Sequence, residues 1–199
     1  MRLGVLGGTF NPIHVGHLIL AHCAAVQLGL DRVLFLPAGD PWRKAGSGVL
    51  SGLHRATMVR LAIEGDERFG LDEREVRQEG PSYTSVTLSE LRREAGDSSR
   101  LFFLLGEDAL EDMAYWHEPE VILEMATLAV APRLVTPVPA PPRHVKRKAL
   151  ELPPYERIDM PYIGISSTDL RARVSRGESL KYLVPDSVDR YIRENQLYR

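Results

Sequence analysis

The 199-residue sequence predicts an α/β fold: a doubly wound parallel sheet in a single domain spanning 1–199. Three observations predict it. Short apolar runs of strand length alternate with stretches whose apolar residues recur at helical spacing, nearly from end to end. The run Leu101-Phe102-Phe103-Leu104-Leu105 is apolar at every position, as strands covered on both faces are. Finally, several of these runs stop at glycine-containing turns: Gly7-Gly8, the 38–48 stretch AGDPWRKAGSG, and Gly106.

In chain order, Leu3–Leu6 is the first strand, and Leu18, Ala21, Ala25 and Leu28 mark a helix that Gly29 is placed to end. Val33–Leu36 is a second strand, stopped by Pro37, and Ser51–Glu64 is a helix. Phe69–Arg77 reads as a strand with charge on one side, suited to a sheet edge. A turn at Gly80–Thr84 leads into a helix over Ser85–Ala95, followed by the central run at 101–105. Helical stretches at Ala109–Ala114 and Glu118–Met125 flank Trp116-His117, and Leu128–Ala131 is the next strand. Pro132–Pro142 holds five prolines in eleven residues, so it is a loop. Ile158–Met160 is expected to be a last short strand, Ser166 to cap a helix, and Pro185 to open a terminal helix with Val188, Tyr191 and Ile192 on one face.

Composition narrows the function classes. A hydrophobic fraction of 44%, a charged fraction of 26% and a net charge of −2 describe an ordinary globular protein without the basic excess of a nucleic-acid binder. The one basic cluster, Arg143–Lys148, reads as solvated surface. A lone cysteine, Cys23, excludes an internal disulfide and reads as a packing residue. With no charged leader before the first strand and no apolar run of membrane-span length, the expected location is the cytoplasm, away from membranes. Oligomeric state is left open, a homo-oligomer included.

The chemistry concentrates at Gly7–His17, GGTFNPIHVGH. It forms a strand–turn–helix junction in which adjacent glycines let the backbone approach a ligand, and the helix start aims N–H groups at it. Such a junction suits phosphate. It lacks both the GxGxxG fingerprint and the GxxxxGK[ST] loop. His14 and His17, three apart, share a face if both lie in the first turn. A zinc reading of HxxH finds no third ligand nearby. Arg43 and Lys44, beside Trp42 in the loop after the second strand, are candidate phosphate contacts, and Arg133 is a candidate for an acceptor phosphate as well as a plain surface charge.

The whole string resembles the signature of the nucleotidyltransferase superfamily, (G)GTFDPxHxGH, with Asn11 in place of the usual Asp. Ile165–Arg171, ISSTDLR, resembles the closing ISSTxIR motif, with Leu170 for Ile. GPSYT at 80–84, GEDALEDMAYW at 106–116 and the ending YLVPDSVDRYIRENQLY resemble, more narrowly, the bacterial nicotinate-nucleotide adenylyltransferases.

That resemblance implies a Rossmann-like nucleotidyltransferase fold and transfer of AMP from ATP to nicotinate mononucleotide, with magnesium arriving on ATP and no protein metal site. It implies catalytic roles for His14, His17, Lys44 and Arg171. Gly8, Thr9, Phe10, Gly106, Asp108, Ile165, Ser166, Ser167 and Thr168 would hold the nucleotide. Thr84 and Trp116, with Lys44 and Arg133, would hold the acceptor. From the residues alone, helix capping explains Asp108 and the 166–168 hydroxyls as readily. Arg43 stands where the family has histidine. Sister enzymes such as pantetheine-phosphate adenylyltransferase or a cytidylyltransferase share the first motif but would not be expected to carry SYT, the GxD…W run and ISST together. A non-catalytic nucleotide-binding module would be expected to have lost the histidines.

Overall fold

The computed structural model describes residues 1–39, 48–132 and 150–199. Six strands form one sheet: β1 (Arg2–Gly8), β2 (Arg32–Pro37), β3 (Phe69–Leu71), β4 (Arg100–Gly106), β5 (Thr127–Ala131) and β6 (Glu156–Arg157). Their order is β3-β2-β1-β4-β5-β6, and every neighbouring pair is parallel. The doubly wound sheet expected from the alternation is the one observed.

The sheet separates two apolar layers, and the strands divide their side chains between them by strict alternation. Leu6, Phe102, Leu104, Ala129 and Ala131 face one layer with Leu20 and Ala24 of α1 (Val15–Gln27), Met58 and Val59 of α2 (Gly52–Ile63), and Val188 and Ile192. Val5, Leu101, Phe103, Leu105, Leu128 and Val130 face the other. There they meet α4 (Thr84–Ala95), which follows the four-residue α3 (Arg74–Arg77), through Leu88 and Leu91. Ile122 of α6 (Pro119–Met125), beyond α5 (Glu107–Asp112) and a 3₁₀ turn at Met113–Tyr115, completes that layer. Helices α7 (Ser167–Ser175) and α8 (Asp186–Glu194) close the chain. Burying each large apolar side chain contributes roughly 1.5–3 kcal/mol.

Two strand expectations are corrected. Phe69–Arg77 is not one strand: β3 stops at Leu71 and Arg74–Arg77 is a helical turn. Asp72 makes the switch. Its N–H still pairs with Phe35 O at 3.0 Å, but its Oδ1 accepts the Arg74 N–H at 3.0 Å, folding the backbone into a turn. The last strand is Glu156–Arg157 rather than Ile158–Met160. The Ile158 N–H still bonds Val130 O at 2.9 Å. At Asp159 the Gln27 amide takes both backbone groups, donating to the carbonyl at 2.6 Å and accepting from the N–H at 2.9 Å, so a side chain ends the ladder. Among the described residues no helix is long and apolar enough to cross a membrane.

Candidate active site

Strand order places the site. The order of strands reverses at β1, with β2 and β3 laid down on one side and β4 to β6 on the other, and in open parallel sheets ligands bind outside the carboxyl ends of the strands at such a switch point. A cleft of about 590 Å³ lies there, within the range of small-molecule sites. One end is the glycine turn after β1 and the start of α1; the other is the start of α4 and the turn after α5.

At the first end, Gly8, Thr9, His14 and His17 line the cleft. His14 is the N-cap of α1, and its backbone N–H donates to His17 Nδ1 at 3.2 Å. With Nδ1 accepting, neutral His17 carries its proton on Nε2 and offers an N–H from that atom. The two rings stack at 3.7 Å, so the imidazoles do share one face. Gly16 makes room for this: a Cβ there would lie 3.1 Å from the His14 ring and 3.3 Å from Ile163. Phe10, by contrast, turns away with φ +47 and buries its ring in the core, edge-on to His17 at 5.1 Å.

The turn itself is anchored from several directions. Arg55, 1% exposed on α2, donates to Thr9 O at 2.8 Å. Asn11 Oδ1 accepts from the Leu50 N–H at 3.3 Å and the Tyr198 hydroxyl at 2.9 Å, while its Nδ2 reaches Gly48 O at 3.5 Å. The Tyr198 phenol is a donor at neutral pH, and burial pushes its pKa further up. Arg171 holds the Asn11 carbonyl at 2.9 Å and Ser167 Oγ holds the Pro12 carbonyl at 2.8 Å, binding the start of α7 to the turn.

The closing motif therefore does several jobs. Ile165 lines the cleft. Ser166 caps α7 by accepting the Asp169 N–H at 3.1 Å, as the capping reading expects. Thr168 accepts from Arg171 at 3.3 Å. Phe10, Ser166, Ser167, Thr168 and Arg171 are not among the cleft-lining residues. Lys44 and Arg133, with Trp42, Arg43 and the 143–148 cluster, lie outside the described residues, as does the proline loop beyond Pro132.

After β4, Gly106 is the N-cap of α5, so Asp108 is freed from the capping role and lies in the first turn, at the cleft. At the far end, Thr84 opens α4 with Tyr83 as its N-cap. Tyr83 stacks on His117 at 4.1 Å, and Trp116 meets Phe103 edge-on at 6.1 Å while lining the cleft. Sequence reasoning missed that aromatic pair, although SYT and WH adjoin residues it singled out. It also missed Glu75, a cleft-lining carboxyl only 5% exposed. In the string LDEREVRQE nothing separates the buried acid from its solvated neighbours. Burial holds the Glu75 pKa above the ordinary value, against hydrogen bonds from Thr87, Ser82 and Gly39 that lower it. Among the described residues no three His, Cys, Asp or Glu side chains gather to hold a metal ion.

Comparison with known proteins agrees with this geometry. A family model described as cytidylyltransferase-like matches residues 5–173. A probable nicotinate-nucleotide adenylyltransferase of Synechococcus is 42% identical, covering 99% of this chain and 94% of that one. One of Thermomicrobium roseum is 43% identical, covering 100% and 92%. The solved Plasmodium falciparum nicotinic acid mononucleotide adenylyltransferase, complexed with NaAD, superposes with a TM-score of 0.72 at 18% identity, covering 99% of this chain and 97% of that one, and so shares the fold. On the extent of these matches, the chain belongs to the nicotinate-nucleotide adenylyltransferase family of cytidylyltransferase-like proteins.

Proposed function

We propose that the chain, as one cytoplasmic domain, transfers the adenylyl group of ATP to nicotinate mononucleotide, giving deamido-NAD and pyrophosphate. A phosphate oxygen of the mononucleotide forms a bond to the α-phosphorus of ATP, the bond to the bridging oxygen breaks, and pyrophosphate leaves with the electron pair. The attacking group is already an anion, so no enzyme nucleophile or strong base is needed. What remains is holding two anions in line and stabilising charge at the α-phosphoryl group and the leaving pyrophosphate.

The observation that supports this reading is one cleft with two chemically different ends. His14, His17 and the Gly8-Thr9 backbone offer donors at the phosphate end, with Lys44 and Arg171 assigned to the same task. Arg171 acts from behind the turn, through the Asn11 carbonyl. Asp108 is assigned to nucleotide hydroxyls, with Gly106 and Ile165 beside it. Trp116, Tyr83 and His117 supply flat faces at the other end for a pyridine ring. Thr84, at the N-terminus of α4, adds N–H donors for its carboxylate, which favours nicotinate over the nicotinamide form, whose NH₂ would face donors. Arg133 is assigned to the acceptor phosphate. Magnesium enters as part of the ATP substrate, neutralising phosphate charge, and its ligands are phosphate oxygens rather than a protein cage.

Purified protein with ATP and magnesium is expected to form deamido-NAD from nicotinate mononucleotide, read by chromatography and by pyrophosphate release across a panel of acceptor phosphates. Folded protein that gives no dinucleotide, or that prefers 4′-phosphopantetheine or a CTP-dependent acceptor, overturns the assignment.

A further inference from the structure

Beneath the cleft runs a chain of buried polar contacts that joins its two ends. It begins at Arg55, whose Nη1 donates to Thr9 O in the phosphate turn at 2.8 Å and whose Nη2 donates to Gly39 O at 2.7 Å. The N–H of the same Gly39 donates to Ser82 Oγ at 3.2 Å and is also bonded to the Glu75 carboxylate. Glu75 in turn accepts from Thr87 Oγ1 at 2.7 Å and from Ser82. Arg55, Glu75, Ser82 and Thr87 are all buried. Gly39 is therefore gripped on its carbonyl from the phosphate side and on its N–H from the side of the Ser82-Tyr83-Thr84 turn. A Cβ at Gly39 would overlap the Glu75 carbonyl, so no larger residue fits this contact.

We propose that Arg55, Gly39 and Glu75 form a buried bridge that sets the 82–84 turn against the phosphate turn, with Glu75 the positioning residue for the acceptor's ring. The proposal rests on the cleft taking ATP at one end and a pyridine mononucleotide at the other. Its chemistry is specific to a carboxylate. Three donors converge on Glu75: two hydroxyls and a backbone N–H. A carboxylate accepts them all. A glutamine of the same shape keeps one acceptor oxygen for the fixed Gly39 N–H and presents NH₂ in place of the other, so a hydroxyl that donated there must turn about and the 82–87 segment must shift to suit it.

Glu75→Gln separates positioning from mere structure, because it removes a charge that burial penalises and so is expected to leave the melting temperature unchanged or higher. By titration calorimetry, it should weaken binding of nicotinate mononucleotide about tenfold while ATP binding stays within about twofold. In turnover the KM of the acceptor should rise alone. Thr87→Val should give a smaller change in the same direction, and the double variant should be no worse than Glu75→Gln, since both act in one network. Equal weakening of both substrates, unchanged acceptor binding, or a loss that merely tracks stability overturns the bridge. Wild type that binds both substrates without forming dinucleotide overturns the reaction assignment and leaves the bridge to be decided by the binding ratio. Wild type that binds no pyridine mononucleotide overturns both.

Discussion

His17 shows how the backbone of one motif residue orients the side chain of another. Its Nδ1 is spent on the His14 N–H at 3.2 Å, which leaves the Nε2 hydrogen as its donor. On the proposed reaction, an imidazole oriented in this way would meet charge that grows as pyrophosphate departs. His17→Ala should therefore lower kcat by about a hundredfold or more, some 3 kcal/mol, with a much smaller effect on ATP binding. Asn11→Asp is the matched control. It should be tolerated: the carboxylate still accepts from the Leu50 N–H and the Tyr198 hydroxyl, and the Arg171 guanidinium at the Asn11 carbonyl offsets the new oxygen that faces Gly48 O at the long 3.5 Å contact. Steady-state kinetics on the two variants check the pair: near-normal turnover in His17→Ala refutes its placement over the phosphates. The spacing of the two histidines was legible in the sequence because it is local, one turn of one helix. The burial of Glu75 was not, because it depends on Gly39, Ser82 and Thr87 arriving from three other segments.

Among the elements, those with a single strong periodicity were legible and those made by a side-chain switch were not. The apolar run of β4 and the helical spacing of α1 left little choice. Phe69–Arg77 carried alternation enough for a strand, yet one Asx-type contact from Asp72 redirected it, and the Gln27 side chain shifted where the sixth strand ends. The break in the helices at Trp116-His117 was legible, but only the structure stacks His117 on Tyr83 at the start of α4. Trp116 stands in that stretch, T-shaped against Phe103 and partly packed on the layer beneath while it lines the cleft. Trp116→Ala is thus expected to raise the KM for nicotinate mononucleotide with little change for ATP, and Trp116→Phe, which keeps an aromatic face, to raise it less. The kcat/KM ratio for the two substrates decides it, and a defect confined to ATP would move Trp116 to the other half of the site.

For the molecule as a whole, the parallel doubly wound sheet followed from the alternation of strand and helix, whereas the strand order and the cleft's floor depended on contacts between distant segments. That floor carries a cost visible in global stability. Burial holds the Glu75 pKa above the ordinary glutamate value of 4.5, so the folded chain binds this proton more tightly than the unfolded one. Stability from this group is thus fully present below 4.5 and falls as pH rises through the raised folded value. Glu75→Gln removes the slope. Urea midpoints of wild type and variant, taken from roughly pH 4 to 8, should diverge in the variant's favour as pH rises. A difference that stays constant with pH refutes the claim.

The bond between Tyr198 and Asn11 spans 187 positions of sequence. On a ribosome working at 5–20 residues per second, roughly 10–40 s pass between the making of these two residues. Throughout that interval the nascent chain carries the glycine turn after β1 without the hydroxyl that steadies it, and without Arg171 and Ser167, which arrive late from α7. The glycine turn, made before the residues that anchor it, is therefore among the last parts of the fold to have its contacts completed.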